Sequence, residues 1–390
     1  IAFQPFSVAN ANVTLGHQGL TLAGFGTFNI TADSIDLGVS GGLGVLAPDA
    51  ALAAISTAGA NLNVTTRGDL NMTSTRISNE SLRGDVTLNV GGALNVGGES
   101  TTLGDPSIPR GIFTTGGGNI SVTAAGDVNV ASSRIAAYDG GNVNVTSQTG
   151  DVNAGTGGAG YVAFTALERD PTTGALQNFP GDIPGSGILA TTDPYGHAAL
   201  GNISINAPQG SLNASLGGVL QIAFNSADTR NNRIDVTTGK DINATGSGII
   251  GYNVKLTAGG NINGVVVGSQ SVAVNSQQNV DVTAVSGGNV NISASGTVSG
   301  TVIGGGEVSV SGSSIDAAVR GGSVSTSGDT SGASVGVPAA GPAQNTQVAD
   351  NANTVASKTD AGEDDELKKK KGIALARKVS RVTVLLPPKN

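Results

Sequence analysis

Residues Gly117–Val130 read GGNISVTAAGDVNV. Two alternating runs, Ile120-Ser121-Val122-Thr123 and Asp127-Val128-Asn129-Val130, are joined by Ala124-Ala125-Gly126. A period of two is the mark of a strand with one face buried. Gly, Asn and Asp sit at the breaks, where turn backbone is tolerated. The same phrase recurs as Gly68-Asp69-Leu70-Asn71-Met72, Gly84-Asp85-Val86 and Gly150-Asp151-Val152-Asn153. A second form runs through Gly141-Asn142-Val143-Asn144-Val145, Gly201-Asn202-Ile203, Gly260-Asn261-Ile262-Asn263 and Gly288-Asn289-Val290-Asn291-Ile292.

A strand this short buries two or three small apolar side chains and cannot stand alone. Coiling the chain solves the problem. Each strand then pairs in parallel with its equivalent one turn later, about 4.8 Å along an axis. Val128 and Val130 are expected to face a shared core, with Asp127 and Asn129 outward. The fold expected is all-β, a parallel β-helix (β-solenoid) over residues 1–335, right-handed as parallel crossovers usually are. About 14 coils of roughly 20 residues predict a rod about 65–70 Å long.

Composition agrees. Gly numbers 61 of 390 residues, aromatics are 3%, and there is no Cys or Trp. An interior of Val, Ile and Ala suits narrow layers rather than a globular core. The lack of Cys excludes a disulfide framework and thiol ligands. No apolar run approaches the roughly 18 residues of a membrane span. No basic and apolar leader precedes Ile1, so the chain is read as a processed piece of a longer precursor.

Two regions break the repeat. Residues 159–200 hold Pro171, Pro180, Pro184 and Pro194 and much of the aromatic content. They are read as a loop insertion projecting from the rod. Its candidate ligand residues are Tyr161, Phe164, Arg169, Phe179, Tyr195 and His197. From residue 336 to 362 the chain is a low-complexity linker rich in Ala, Ser, Asn and Thr. Residues 363–390 then place acids before a tetralysine, as in a short helix, and end in an alternating strand stopped by Pro387 and Pro388.

Residues 358–390 carry nine basic and five acidic side chains, so 11 basic and 23 acidic remain in the body. A basic tail on an acidic body is equipped to dock. Its candidate interface residues are Leu367, Lys368, Lys369, Lys370, Lys371, Ile373, Leu375, Arg377, Val379, Arg381, Val382, Val384 and Leu386. At the other end, Ile1, Phe3 and Phe6 are candidates for a cap or for contact with a preceding copy. The acidic body repels phosphate, so nucleic acid is not an expected partner.

The GGNI and GDV-N-V repeats, as in GGNISVTAAGDVNV and AGGNINGVVVG, resemble the shafts of the filamentous-haemagglutinin family of large secreted bacterial proteins. The end DELKKKKGIALARKVSRVTVLLPPKN is similar to the C-terminal end of large members of that family. The resemblance implies export through a partner outer-membrane pore and a role as adhesin or surface fibre of a Gram-negative bacterium. The family's secretion module carries NPNG- or NPNL-like motifs. Neither occurs here, which fits a C-terminal piece of a precursor.

Catalysis needs convergent polar groups. The two histidines, His17 and His197, are far apart in sequence. GVSGG at Gly38–Gly42 and GASVG at Gly332–Gly336 match G-x-S-x-G in letters, but neither sits at a strand-to-helix turn. Glu168 and Asp170 are formally a carboxylate pair for glycoside cleavage, and solvated loop charges are the simpler reading. No enzyme activity, catalytic residue, cofactor or metal is expected. The Asn-x-Ser/Thr triplets at Asn12, Asn29, Asn63, Asn119, Asn144, Asn202 and Asn291 follow from strand alternation, with sugar attachment a minor possibility. No G-G-x-G-x-D repeat supports a calcium array.

The function expected is a fibre subunit, with rods joined head to tail as a homopolymer and the tail strapping neighbours. The alternative is a monomeric adhesin shaft that binds a glycan or host protein through residues 159–200. A polysaccharide-cleaving enzyme is the third reading.

Overall fold

Stacking is what the alternating strands require, and it is what the computed structural model contains. It describes residues 12–14, 19–46, 59–97, 110–156, 161–169, 176–184, 186–192, 198–224 and 228–336. All but two of the described strands join one 29-stranded sheet. Its pairings are parallel throughout, and no described residue is helical.

The ladders resolve into three faces. On the first face, Ile35, Leu70, Leu94, Val128, Val152, Leu212 and Ile242 stack in register. The stack continues through Ile262, Val280 and Val298 to Ile315. On the second, Leu43, Ile77, Ile112, Ile135, Ile188, Val219 and Ile249 stack in the same way. On the third, Phe28, Leu62, Val86, Ile120, Val143, Ile203 and Ile234 do so, down to Val308 and Val324. The inward columns form one continuous core from Phe28 to Val319. Val128 and Val130 lie in it fully buried, while Asp127 is exposed. Each face holds roughly a dozen rungs, about 50 Å at 4.8 Å per rung.

Coil length explains why this ladder is shorter than a uniform repeat predicts. Equivalent corner residues are 24 and 34 apart in the first half and 60 apart across the insertion. They settle to 20 and then 18 beyond residue 240. Early coils spend residues outside the rungs. Later coils spend almost none, so strands run through corners, as in Ile242–Ala258 and Ile262–Ser276.

The motif Asp and Asn residues are the corner posts. Between the third and first faces, Asp69 Oδ1 accepts from Ala93 N at 2.7 Å, Asp127 from Asp151 N at 2.8 Å, and Asp241 from Asn261 N at 2.6 Å. Between the second and third faces, Asn119 N and Nδ2 both donate to Asp85 Oδ1, at 2.7 and 3.0 Å. Asn142 N and Nδ2 then donate to Asn119 Oδ1, at 2.9 and 3.0 Å. Each side chain thus satisfies a backbone donor one coil further on, where no strand partner is available. The adjoining glycines are demanded by proximity. A Cβ on Gly118 would stand 1.9 Å from Gly84 O, and one on Gly201 would stand 1.6 Å from Gly141 O.

The insertion expected over residues 159–200 is shorter than that. Tyr161–Arg169 and Leu176–Pro184 pair antiparallel as a separate two-stranded sheet. Gly187–Thr191, however, is a full rung of the second face, paired to Arg134–Ala137 on one side and Gly218–Ile222 on the other. Flanking prolines disguise it, and its run Ile188-Leu189-Ala190 has no alternation because both sides of the strand are buried. The expected linker, helix and terminal strand of residues 337–390 lie outside the described residues.

Candidate functional site

The three corners are not equivalent. The corner between the third and first faces stays tight in every described coil, as at Arg67–Asp69, Gly91–Ala93, Ala125–Asp127 and Gly259–Asn261. Every interruption of the ladder falls at the two corners that flank the second face. The antiparallel hairpin enters just before the rung Gly187–Thr191 of that face. The second face is therefore the decorated one.

Its outer side is also chemically distinct. Phe113, Ala136, Leu189 and Leu220 occupy one register column. The alternate residues Ile112, Ile135, Ile188 and Val219 point into the main core. The outward set forms a second apolar cluster with Tyr138. Phe113 and Tyr138 are nearly wholly buried although they lie outside the coil. Their ring centroids are 6.1 Å apart and tilted by 39°, within the range of favourable aromatic pairs.

Arg134 borders this cluster, and Arg110 lies close enough to feel its charge. Arg134 is 1% exposed, the largest fully buried side chain described. Gly111 makes room for it. A Cβ there would meet the Arg134 side chain at 2.9 Å, and the Gly111 φ of +109° suits glycine. Burial pushes the Tyr138 hydroxyl above its usual range, partly offset by the adjacent Arg134. Burial lowers Arg110, and the positive charge of Arg134 lowers it further. Arg76 bonds Glu80 at 3.1 Å. Burial raises the Glu80 carboxyl against the pull of Arg76.

The sequence-derived candidates fall as follows. Tyr161, Phe164 and Arg169 lie on one hairpin strand and Phe179 on the other. Phe179 pairs with Ala166, two register positions from Phe164, and Arg169 pairs with Leu176. Tyr195, His197, His17, Asp170, Ile1, Phe3, Phe6 and all the tail candidates lie outside the described residues. Ser40 of GVSGG is spent on its corner. Its Oγ donates to Leu37 O at 2.7 Å and accepts from Gly42 N at 3.1 Å. Among the described residues no three His, Cys, Asp or Glu side chains gather as a metal site. No helix there is long and apolar enough to cross a membrane.

Sequence reasoning missed Phe113, Arg134, Tyr138 and Leu189. The available signal was loss of alternation. Ile135-Ala136-Ala137-Tyr138 and Ile188-Leu189-Ala190 are continuous apolar runs among alternating neighbours, which marks a strand covered on both sides.

Fold and face together define a β-solenoid shaft with one ornamented side. Residues 140–249 match the family model described as filamentous haemagglutinin family outer membrane protein. The match spans the hairpin and the second-face rungs Gly187–Thr191 and Gly218–Ile222 that follow it, and it bears out the resemblance drawn from the repeats. Neither the curated proteins nor the solved structures compared gave a significant match.

Proposed function

We propose that the chain is a structural shaft at the surface of a Gram-negative bacterium, and that such shafts join head to tail into a fibre. The observation that carries the reading is the three-faced ladder around one continuous core, which gives stiffness and length with little chemistry. Its last rungs favour joining. Among the described residues Ser323–Asp329 and Ser334–Gly336 are paired on one side only, an edge that another chain could extend. In the fuller version of the reading the tail straps the joint.

Negative-stain electron microscopy tests both parts. Filaments from the full chain are expected, and isolated rods alone would overturn the fibre. Truncation after Gly336 separates strap from edge. Filaments lost with the tail require the strap, whereas filaments kept require only the coil ends.

A second reading is favoured by the confinement of insertions to the flanks of one face. On that reading the shaft presents the hairpin and its neighbours to a glycan or host protein. Replacing residues 159–186 by a short linker is then expected to abolish cell or glycan binding while leaving the rod intact.

A further inference from the structure

The outward column of the second face does not end with the insertions. From Leu220 it continues in register through Ile250, Val267 and Val285 to Ile303. Leu220, Ile250 and Ile303 are half-buried, with the buried Val267 and Val285 between them. The neighbouring outward column is Val265, Thr283, Thr301 and Ala318. The same coils carry Asn263, Asp281 and Ser299 on the outside of the first face. They carry Lys255, Ala273, Asn291 and Ser309 on the outside of the third. On these coils only the second face carries a continuous apolar column outside as well as inside, and that column ends at Arg320.

The chain also leaves the described solenoid on this face. Ser334–Gly336 pairs with Ala318–Arg320, the rung that follows Ile303. Residues 337–390 come after it. Their last alternating run places Val382, Val384 and Leu386 two residues apart, so an extended chain shows all three on one side. Val382 to Leu386 spans about 14 Å when extended, and the rungs from Ile250 to Ile303 span about 14 Å. The intervening stretch of about 40 residues reaches about 35 Å as a flexible coil, enough to return to any of these rungs. On the coils from Tyr252 to Arg320 the exposed acids Asp281, Glu307 and Asp316 outnumber the exposed bases Lys255 and Arg320. The tail brings Lys368 to Lys371, Arg377, Lys378 and Arg381 to meet those acids.

We propose that Val379–Leu386 folds back in cis and docks on the outward apolar column of the second face, with Val382, Val384 and Leu386 laid along the rungs from Ile250 to Ile303 and Leu386 nearest Ile303. The proposal is independent of the surface-shaft reading, but it takes the place of the strapping tail in the fuller version of that reading. It leaves any head-to-tail joint to the coil ends.

The cysteine-free chain allows a direct test. Ile303→Cys with Leu386→Cys is oxidised in the full chain and compared with Asn291→Cys and Leu386→Cys, whose first site lies on the third face. Circular dichroism checks that each variant keeps its strands. The expected result is a monomeric, internally cross-linked product forming about tenfold faster for the first pair, from the effective concentration of a docked segment. Adding Val382→Asp and Val384→Asp to that pair brings the rate down to the control's. Equal rates for the two pairs overturn the proposal. Disulfide-linked dimers in place of the monomeric product overturn the cis arrangement and point to the tail as an intermolecular strap. Neither result bears on whether the rod is a surface shaft, which electron microscopy and binding decide separately.

Discussion

At the scale of single residues, the motif is a hydrogen-bond device. Asn119 receives and passes on the ladder, since its amide donates to Asp85 and its carbonyl oxygen accepts twice from Asn142. Asn119→Ala removes the acceptor for a partly buried backbone N–H. It is expected to cost about 1–2 kcal/mol in denaturant unfolding, whereas alanine at the exposed Asn144 is expected to cost less than about 0.5 kcal/mol. Tyr138 offers a test of the outer cluster. Burial raises its folded pKa, so the folded state holds the phenolic proton after the unfolded state has released it. Stability from this group is complete below about pH 10, the unfolded value, and is lost as pH climbs above it. Unfolding midpoints measured between pH 8 and 11 should fall above pH 10 in the wild type, and fall less in Tyr138→Phe. Tyr252, raised mainly by its own burial, leaves a remainder that Tyr252→Phe removes. Parallel curves for wild type and Tyr138→Phe would mean that the cluster admits water.

At the scale of elements, what matters is which corners accept extra chain. The corner posts Asp69, Asp127, Asp151 and Asn261 were readable as repeated letters, because their chemistry demands the same residue type in each coil. The rungs on the first and third faces were readable for the same reason, since their outer sides meet water and keep the alternation. The second face was not. Arg134-Ile135-Ala136-Ala137-Tyr138 and Gly187–Thr191 are buried on both sides, and a strand without a solvent face has no period to read. The prolines of residues 159–200 suggested a single long loop and hid a rung inside it. The hairpin Tyr161–Pro184 has its own antiparallel register and shares no ladder with the rod. Replacing it by a short Gly-Ser linker should therefore keep Ile135, Ile188 and Val219 in register. The expected outcome is an unchanged strand signal in circular dichroism and a single cooperative unfolding transition. Loss of that signal would show that the hairpin is part of the rod's folding unit.

At the scale of the whole molecule, a solenoid is held by nearest neighbours. An interior rung is paired on both sides, and the last rung on one. Leu256 is fully buried, between Val236 and Val274 in register. Val324 follows Val308 as the last described rung of the third face and is only half-buried. Leu256→Ala opens a cavity flanked by rungs that cannot collapse without breaking their own pairing, so it is expected to cost about 2–4 kcal/mol. Val324→Ala removes a side chain that already meets solvent, at an expected cost under about 1 kcal/mol. Hydrogen exchange locates the two losses. The first should speed exchange across the coils around Val236–Val274, because the defect is shared with both neighbours. The second should confine faster exchange to Ser323–Gly336, which has one neighbour to lose. If the terminal variant instead weakened protection as far as Leu256, the rod would unfold as one body, and the end would be sealed by chain beyond Gly336 rather than left open. That outcome would count against joining through the coil ends. It would favour a tail that closes the rod.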